Sequence, residues 1–403
     1  MYSSETTIAA MLKVIAAGIF DKNIQAEWVM LSADLKEAVE DYAAKCDYRR
    51  LLYYYLGSAA FTVDSRKLKL EFISQAANAA ARDNAAAEIE TLFNKNGIDY
   101  RLIKGVTLCR DVYPASALRH SVDVDILVRE RDAEKAFKLA IVHGAVPEHE
   151  YLENCRQHLP RLTYKKIFFE IHTYLFDGIE NENECLWREF ERKEDNIELL
   201  LLHLLHHSFL RHFFLNGAKT LIDVGYIIKK YSLDMDYFHD LEQKFQCAGL
   251  LDIILTAFPE FFMYTNIAPR KGVPVDMRKL LLGIAFEHGV KNIGNRDIEA
   301  VYFEHKSWQS KLRHVFARIK FLTPDYFVQK YRISHARAFW FFPGYFLFEL
   351  WGKTRLYFKT RENMRNSGKK EDVQRINFIM TLQENILKVS RPGKKNGLES
   401  IFK

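Results

Sequence analysis

Val122-Asp123-Val124-Asp125-Ile126-Leu127-Val128 is the stretch on which the reading of this chain turns. It is rich in β-branched residues and alternates acidic with apolar side chains. Successive side chains of a strand point to opposite faces, so the pattern predicts a strand carrying both carboxylates on one face. On its N-terminal side a polar loop through Arg119 follows Tyr113-Pro114, which ends a helix expected from Val106 to about Val112. Before that helix, Ile98-Asp99-Tyr100-Arg101-Leu102-Ile103 reads as a strand that starts at the Asn96-Gly97 turn pair and runs into Lys104-Gly105. On the C-terminal side residues 131–143 have helical periodicity, and Gly144 stops the helix before the next extended stretch. Lys166-Ile167-Phe168-Phe169-Glu170-Ile171-His172 is a further strand. Glu170 and His172 share one of its faces, Ile167, Phe169 and Ile171 share the other, and Phe168 breaks the pattern by falling on the polar side.

The flanks are helical. Residues 5–95 space their apolar side chains by three and four and include Ala76-Ala77-Asn78-Ala79-Ala80-Ala81, a composition of high helix propensity. Met1 to Phe20 lacks a basic start and carries Glu5 and Lys13, so it reads as a helix rather than an export signal. Beyond Asn196, Leu199-Leu200-Leu201-Leu202-His203-Leu204-Leu205 is apolar nearly all round, the mark of a buried helix. The stretch Ala268-Pro269-Arg270-Lys271-Gly272 reads as a surface loop. The fold class expected is α+β and mostly helical, a small mixed sheet with helices plus helical domains. The expected division is a helical region at 1–95, an α/β core at 96–195, a helical domain bordering a cleft at 196–300, and a basic aromatic region at 301–403.

Bulk properties bound this reading. A chain of 403 residues, 48% hydrophobic and 27% charged, is an ordinary globular protein of two or three domains. Five cysteines without a C-x-x-C pair suggest neither a zinc ribbon nor a disulfide framework, and a reducing cytoplasm suits them. The longest apolar run, Ala338 to Leu350, contains Glu349 and falls short of the ~20 residues that span a bilayer, so no transmembrane segment is expected. The net charge of +6 hides an asymmetry: residues 301–403 hold 21 Lys and Arg against 8 acidic residues, and residues 1–300 hold 37 against 44. Basic residues interleaved with aromatics, as in Arg332 to Trp351, suit an RNA backbone, an anionic membrane surface or an acidic protein, with a solvated basic face as the plain alternative.

Carboxylates two residues apart on a strand can jointly hold hard divalent cations through oxygen ligands. Two metals ~3.5–4 Å apart serve displacement at phosphorus when one ion meets the attacking oxygen, the other meets the leaving phosphates, and a third carboxylate completes the cage. Glu170 is the candidate third ligand to join Asp123 and Asp125. Magnesium is the expected metal because it takes carboxylates plus substrate phosphates, with manganese as its substitute. Lys104-Gly105 stands where a strand hands over to a helix, so backbone N–H groups there suit a triphosphate, glycine allows the close approach, and Thr107 offers a hydroxyl. Arg119 suits the phosphate charge or the charge of the transition state. Each residue has a structural alternative: an isolated Asp-x-Asp is more often a solvated strand face, and Lys104 and Arg119 can serve as local ion-pair partners. His172 is either a support for the metal site or a structural histidine. His203 and His207, one helical turn apart, lack the glutamate of H-E-x-x-H, which excludes a zinc protease. They line or pack in the cleft, with Asp223 as a candidate partner.

In this order the residues resemble the uncharacterised bacterial nucleotidyltransferase family of the polymerase-β-like superfamily. The resemblance rests on Leu102-Ile103-Lys104-Gly105-Val106-Thr107-Leu108, Tyr113-Pro114, Arg119, Asp123-Val124-Asp125-Ile126-Leu127-Val128, Glu170-Ile171-His172, His203-Leu204-Leu205-His206-His207 and Asp223, over roughly residues 60–230. It implies a polymerase-β-like nucleotidyltransferase core at 96–195 and a magnesium-dependent, cytoplasmic transferase. Such an enzyme moves a nucleoside monophosphate from an NTP, expected to be ATP, to a hydroxyl acceptor and releases pyrophosphate. Two positions depart from the pattern: Val122, where relatives usually carry glycine, and Gly105-Val106, where better-known superfamily members carry Gly-Ser. Phosphate handling is expected to differ accordingly. The acceptor is open among RNA, protein, peptide and small molecule. A phosphotransferase on the same fold and a non-catalytic nucleotide-, RNA- or membrane-binding protein are the alternatives.

Overall fold

The acidic stretch forms a strand, β2 (Asp123–Val128), flanked by β1 (Tyr100–Ile103) running antiparallel and by β5 (Ile167–His172) running parallel to it. Beyond β5 the sheet continues through β4 (Leu162–Tyr164) and β3 (Val146–Pro147), both pairs antiparallel, giving the mixed order β1-β2-β5-β4-β3. The computed structural model describes residues 3–57, 65–148, 159–176, 182–212, 214–270, 275–286 and 334. The basic aromatic region 301–403 apart from Ser334, its apolar run Ala338 to Leu350, and Cys155 lie outside the described residues.

The period-2 pattern sorts the sheet into two unlike faces. Val124, Ile126 and Val128 of β2, with Phe169 and Ile171 of β5, are buried in one core cluster with Ala85, Ala86, Ile89 and Phe93 and with Ala136, Phe137 and Ala140. The first of these helical groups belongs to the long helix Ser65–Lys95 and the second to Ala133–Val142. Small alanines let both helices approach the strands closely, and each large apolar side chain removed from water contributes about 1.5–3 kcal/mol. The opposite face presents Asp123, Asp125 and Leu127 of β2 beside Phe168, Glu170 and His172 of β5, pair by pair in register. Antiparallel register sets Ile103 of β1 opposite Asp125.

The helices run α1 (Ser4–Ile19), α2 (Ile24–Val29), α3 (Ala33–Lys45), α4 (Arg49–Leu56), α5 (Ser65–Lys95), α6 (Lys104–Thr107), α7 (Ala133–Val142), α8 (Glu182–Arg192), α9 (Ile197–His206) and α10 (Gly217–Lys230). Met235–Lys244, Leu250–Ala257, Pro259–Phe262 and Val275–Phe286 follow. The protein is therefore mostly helical around a small mixed sheet, as its periodicity predicts. Met1–Phe209 and Asn216–Phe286 make up one unit, which holds every residue discussed below; Leu210–Leu215 and Glu287–Lys403 make up a second. No helix among the described residues is long and apolar enough to cross a membrane.

Local differences from the sequence reading have physical causes. The helix after Lys104-Gly105 begins at Lys104 itself, lasts one α-turn, and widens to a π-turn over Leu108–Val112. Insertions of this kind leave no periodic signature and recur at functional sites. The hairpin joining β4 to β5 turns at Lys165 and Lys166, both with positive φ, +50° and +68°. Tight hairpins need that geometry, but the usual Asn-Gly signal for it is missing, so β4 is not evident from sequence. Phe168, out of pattern on the polar face, carries the Arg161 guanidinium 5.3 Å over its ring. A cation on an aromatic face explains why it stands there half in water.

Candidate active site

Three carboxylates share the polar face of β2 and β5. One ligand atom each from Asp125, Glu170 and His172 lies within 4.8 Å of the others, and all three residues are buried. Lys104 Nζ donates to Asp125 Oδ1 at 2.8 Å, and His172 Nε2 stands 2.8 Å from the same oxygen. Burial works against the Asp125 charge, but Lys104 and then His172 outweigh it and hold the carboxyl well below the usual range. Glu170 accepts from Arg161 at 2.8 and 3.1 Å through Oε1, leaving Oε2 turned toward His172 at 3.8 Å. Asp123 sits two residues before Asp125, outside the group of three and more exposed. It has no cationic partner among the described residues. Burial, then the charges of Asp125 and Glu170, push its carboxyl up.

Beside this face lies a cradle. A Cβ at Gly105 would come within 2.1 Å of Ser121 Oγ and 2.9 Å of Arg119 Nη1, so any other residue there would have to displace both side chains. Ser121 thus brings a hydroxyl to Gly105 from across the loop, although Val106 follows that glycine. Arg119 donates Nε and Nη2 to the two oxygens of Asp223, at 2.7 and 2.9 Å, while Tyr113 donates its hydroxyl to the same carboxylate at 2.6 Å. Burial opposes the Arg119 charge and Asp223 more than offsets it. The remaining nitrogen of Arg119, Nη1, is buried with no hydrogen-bond partner among the described residues. Lys104 reaches Asp125 from a backbone in the left-handed region, φ +53°, which costs a non-glycine residue about 1–2 kcal/mol. Such strain at a residue whose amine meets a buried carboxylate suits a functional position.

The structure thus brings together Asp123, Asp125, Glu170, His172, Lys104, Gly105 and Arg119. Thr107 lies one turn beyond Lys104, and its Oγ1 is buried and unpartnered among the described residues. His203 is 2% exposed, its ring 5.9 Å from Phe176 and 5.8 Å from His207. Burial, then the Lys104 charge, lower its pKa, so its imidazole is neutral. Asp223, expected beside the histidines, has its oxygens taken up by Arg119 and Tyr113 instead.

Sequence reasoning missed three further residues. Arg161 is found only once β4 is known, because Leu162 pairs with Phe169 and so carries Arg161 alongside Glu170. Ser121 needed the loop geometry. Lys219, one helical turn before Asp223 on α10, was legible from that spacing. It makes no hydrogen bond or ion pair among the described residues, and burial, then the Arg119 charge, bring its ammonium down to about 8.

The donor set fits a hard divalent cation. Carboxylate oxygens are what magnesium takes, and of the three carboxylates on this face two are in ion pairs among the described residues, Asp125 with Lys104 and Glu170 with Arg161. His172, donating from Nε2 to Asp125, orients that carboxylate in the manner of a hydrogen-bonded support. A family model described as "Uncharacterised nucleotidyltransferase" matches residues 47–263, which includes every residue of the carboxylate face and the cradle. Neither a curated protein nor a solved structure matches the chain.

Proposed function

The chain belongs to this family of nucleotidyltransferases, and from that premise we propose that it moves a nucleoside monophosphate from an NTP, ATP first among them, to a hydroxyl acceptor. The acceptor oxygen bonds to the α-phosphorus, its proton leaves, and the bond from that phosphorus to the bridging oxygen breaks, releasing pyrophosphate. Asp123, Asp125 and Glu170 would hold magnesium, which when bound neutralises phosphate charge and activates the attacking oxygen.

The chain's own residues divide the remaining work. Lys104 and His172 hold Asp125 ionised and oriented. Arg161 fixes one oxygen of Glu170 and leaves the other toward the cation site. Asp123, the carboxylate of this face without an ion-pair partner among the described residues, takes the acceptor proton. Gly105, Ser121, Arg119 Nη1 and Lys219 receive the departing phosphates, since a guanidinium nitrogen with no hydrogen-bond partner among the described residues, packed close against a glycine, suits an anion. The observation that carries the reading is the excess of carboxylates on the β2–β5 face beside that cradle.

Incubation with α-labelled and, separately, γ-labelled ATP in the presence of magnesium and cell extract tests it. Wild type should pass the α label into a product and Asp123→Asn should not. Passage of the γ label instead would make the protein a phosphotransferase, and passage of neither would make it a binding protein.

A further inference from the structure

Phe168 stands on the polar face of β5, 41% exposed and beside Asp123 in the β2–β5 register. Single exposed apolar side chains are common on protein surfaces, so its exposure alone says nothing of a role. Its contact does. Leu162 pairs with Phe169, so Arg161 comes opposite Glu170 and diagonal to Phe168, two residues earlier on the same face. Diagonal neighbours across an antiparallel pair are within reach of long and aromatic side chains. Arg161 uses both directions: Nε and Nη2 converge on Oε1 of Glu170 at 3.1 and 2.8 Å, and its guanidinium carbon lies 5.3 Å from the centre of the Phe168 ring.

The ion pair does not fix this arrangement by itself. The Arg161 side chain is 43% exposed, and at such exposure the cost of ordering a long side chain offsets most of the attraction. Arg161 also has an alternative partner. The hydrogen bonds to Glu170 come first in holding its charge, but the carboxylates of Glu148 and Asp123 act on it too, and the Glu148 backbone N–H donates to the Arg161 carbonyl at 2.8 Å. A flat ring is what favours the one orientation in which the guanidinium lies over Phe168 while it donates to Glu170. In that orientation Oε1 is taken and Oε2 is left on the side of His172, 3.8 Å away.

We propose that Phe168 is a positioning residue of the cation site, whose ring fixes the Arg161 guanidinium and through it the carboxylate of Glu170. This role rests on the reading above that Asp123, Asp125 and Glu170 hold magnesium for nucleotidyl transfer. Without the ring, Arg161 turns to Glu148 or to water, and Glu170 remains a ligand but loses its preset orientation. The signature is weaker cation binding with an unchanged rate once the cation saturates.

Mn²⁺ binding to the full chain without nucleotide, followed by electron paramagnetic resonance, tests this. Phe168→Leu should raise the dissociation constant about threefold to fivefold, the scale of one exposed contact between a cation and a ring. Phe168→Tyr, which keeps the ring, should bind as the wild type does, and the thermal midpoints of both variants should stay at the wild-type value. In an Arg161→Ala background Phe168→Leu should add no further loss. In the transfer assay Phe168→Leu should raise the Mg²⁺ concentration for half-maximal rate by the same factor and leave kcat unchanged. Wild-type affinity in Phe168→Leu, a loss of the same size with and without Arg161, or a fall in kcat at saturating Mg²⁺ would overturn the proposal. Should Phe168→Leu fail to fold, the wild type decides: the Arg161 Nε–H proton signal, identified by its absence from Arg161→Ala, should be shifted upfield by the ring, and an unshifted signal would overturn the proposal. If the Mn²⁺ pattern holds but no α label moves from ATP, the positioning role stands and the nucleotidyl reading falls. If the label moves and Phe168→Leu binds Mn²⁺ as the wild type does, the reverse holds.

Discussion

The molecule holds two buried carboxylate clusters close to one another, and they are built on opposite terms. At Asp223 the charges close: one carboxylate, one bidentate guanidinium and one phenol hydroxyl account for each other. On the β2–β5 face they do not, because among the described residues Lys104 pairs with Asp125 and Arg161 with Glu170, and Asp123 has no ion-pair partner. A partly buried charge without compensation is costly, and Asp123 has no pairing among the described residues that would remove that cost. The first cluster therefore reads as scaffold, holding α10 to the loop before β2. The second reads as a place that completes itself with a cation. Arg119 links them, with two nitrogens spent on Asp223 and the third buried beside Gly105 with no hydrogen-bond partner among the described residues.

The sharpest way to break this contrast is to remove one carboxylate from each side. Asp123→Asn should lower nucleotidyl transfer by about 10³-fold or more, the scale of losing a group that acts on the developing charge. Its stability should stay level or rise slightly, since a like-charge repulsion goes with it. Asp223→Ala should do the converse to stability, losing about 3–5 kcal/mol in urea titration because it strands a buried arginine. Equal destabilisation by both substitutions would mean that the two clusters are one structural network. A smaller effect is expected at Arg161, where alanine should weaken magnesium binding by about 10-fold, read by calorimetry, because it only orients Glu170. The smallest is expected at Lys219: alanine should raise the dissociation constant of Mg–ATP by a few-fold to about 10-fold in a filter assay, with the thermal midpoint unchanged.

The contrast also marks what the amino-acid order makes legible. The open cluster is visible because a strand alternates: Asp123 and Asp125 must share a face with each other and, through the parallel pairing, with Glu170 and His172. Its apolar back is visible for the same reason. The closed cluster is hidden, since Arg119 and Asp223 stand 104 residues apart and nothing local says that they meet. Arg161 is hidden by a turn made of two lysines in the left-handed region, chemistry that gives no turn signal. The Lys104 contact with Asp125 depends on a strained φ followed by a π-turn, and propensity foresees neither. Only Lys219 was within reach of spacing alone, four residues before Asp223.

The claim that the open cluster is completed by a cation is tested most directly by electron paramagnetic resonance of Mn²⁺ added to the wild type and to Asp123→Asn/Glu170→Gln. The account predicts that the wild type binds Mn²⁺, that Mg²⁺ displaces it, and that the double variant binds at least 10-fold more weakly. Mn²⁺ held equally by both proteins, or by neither, would contradict it.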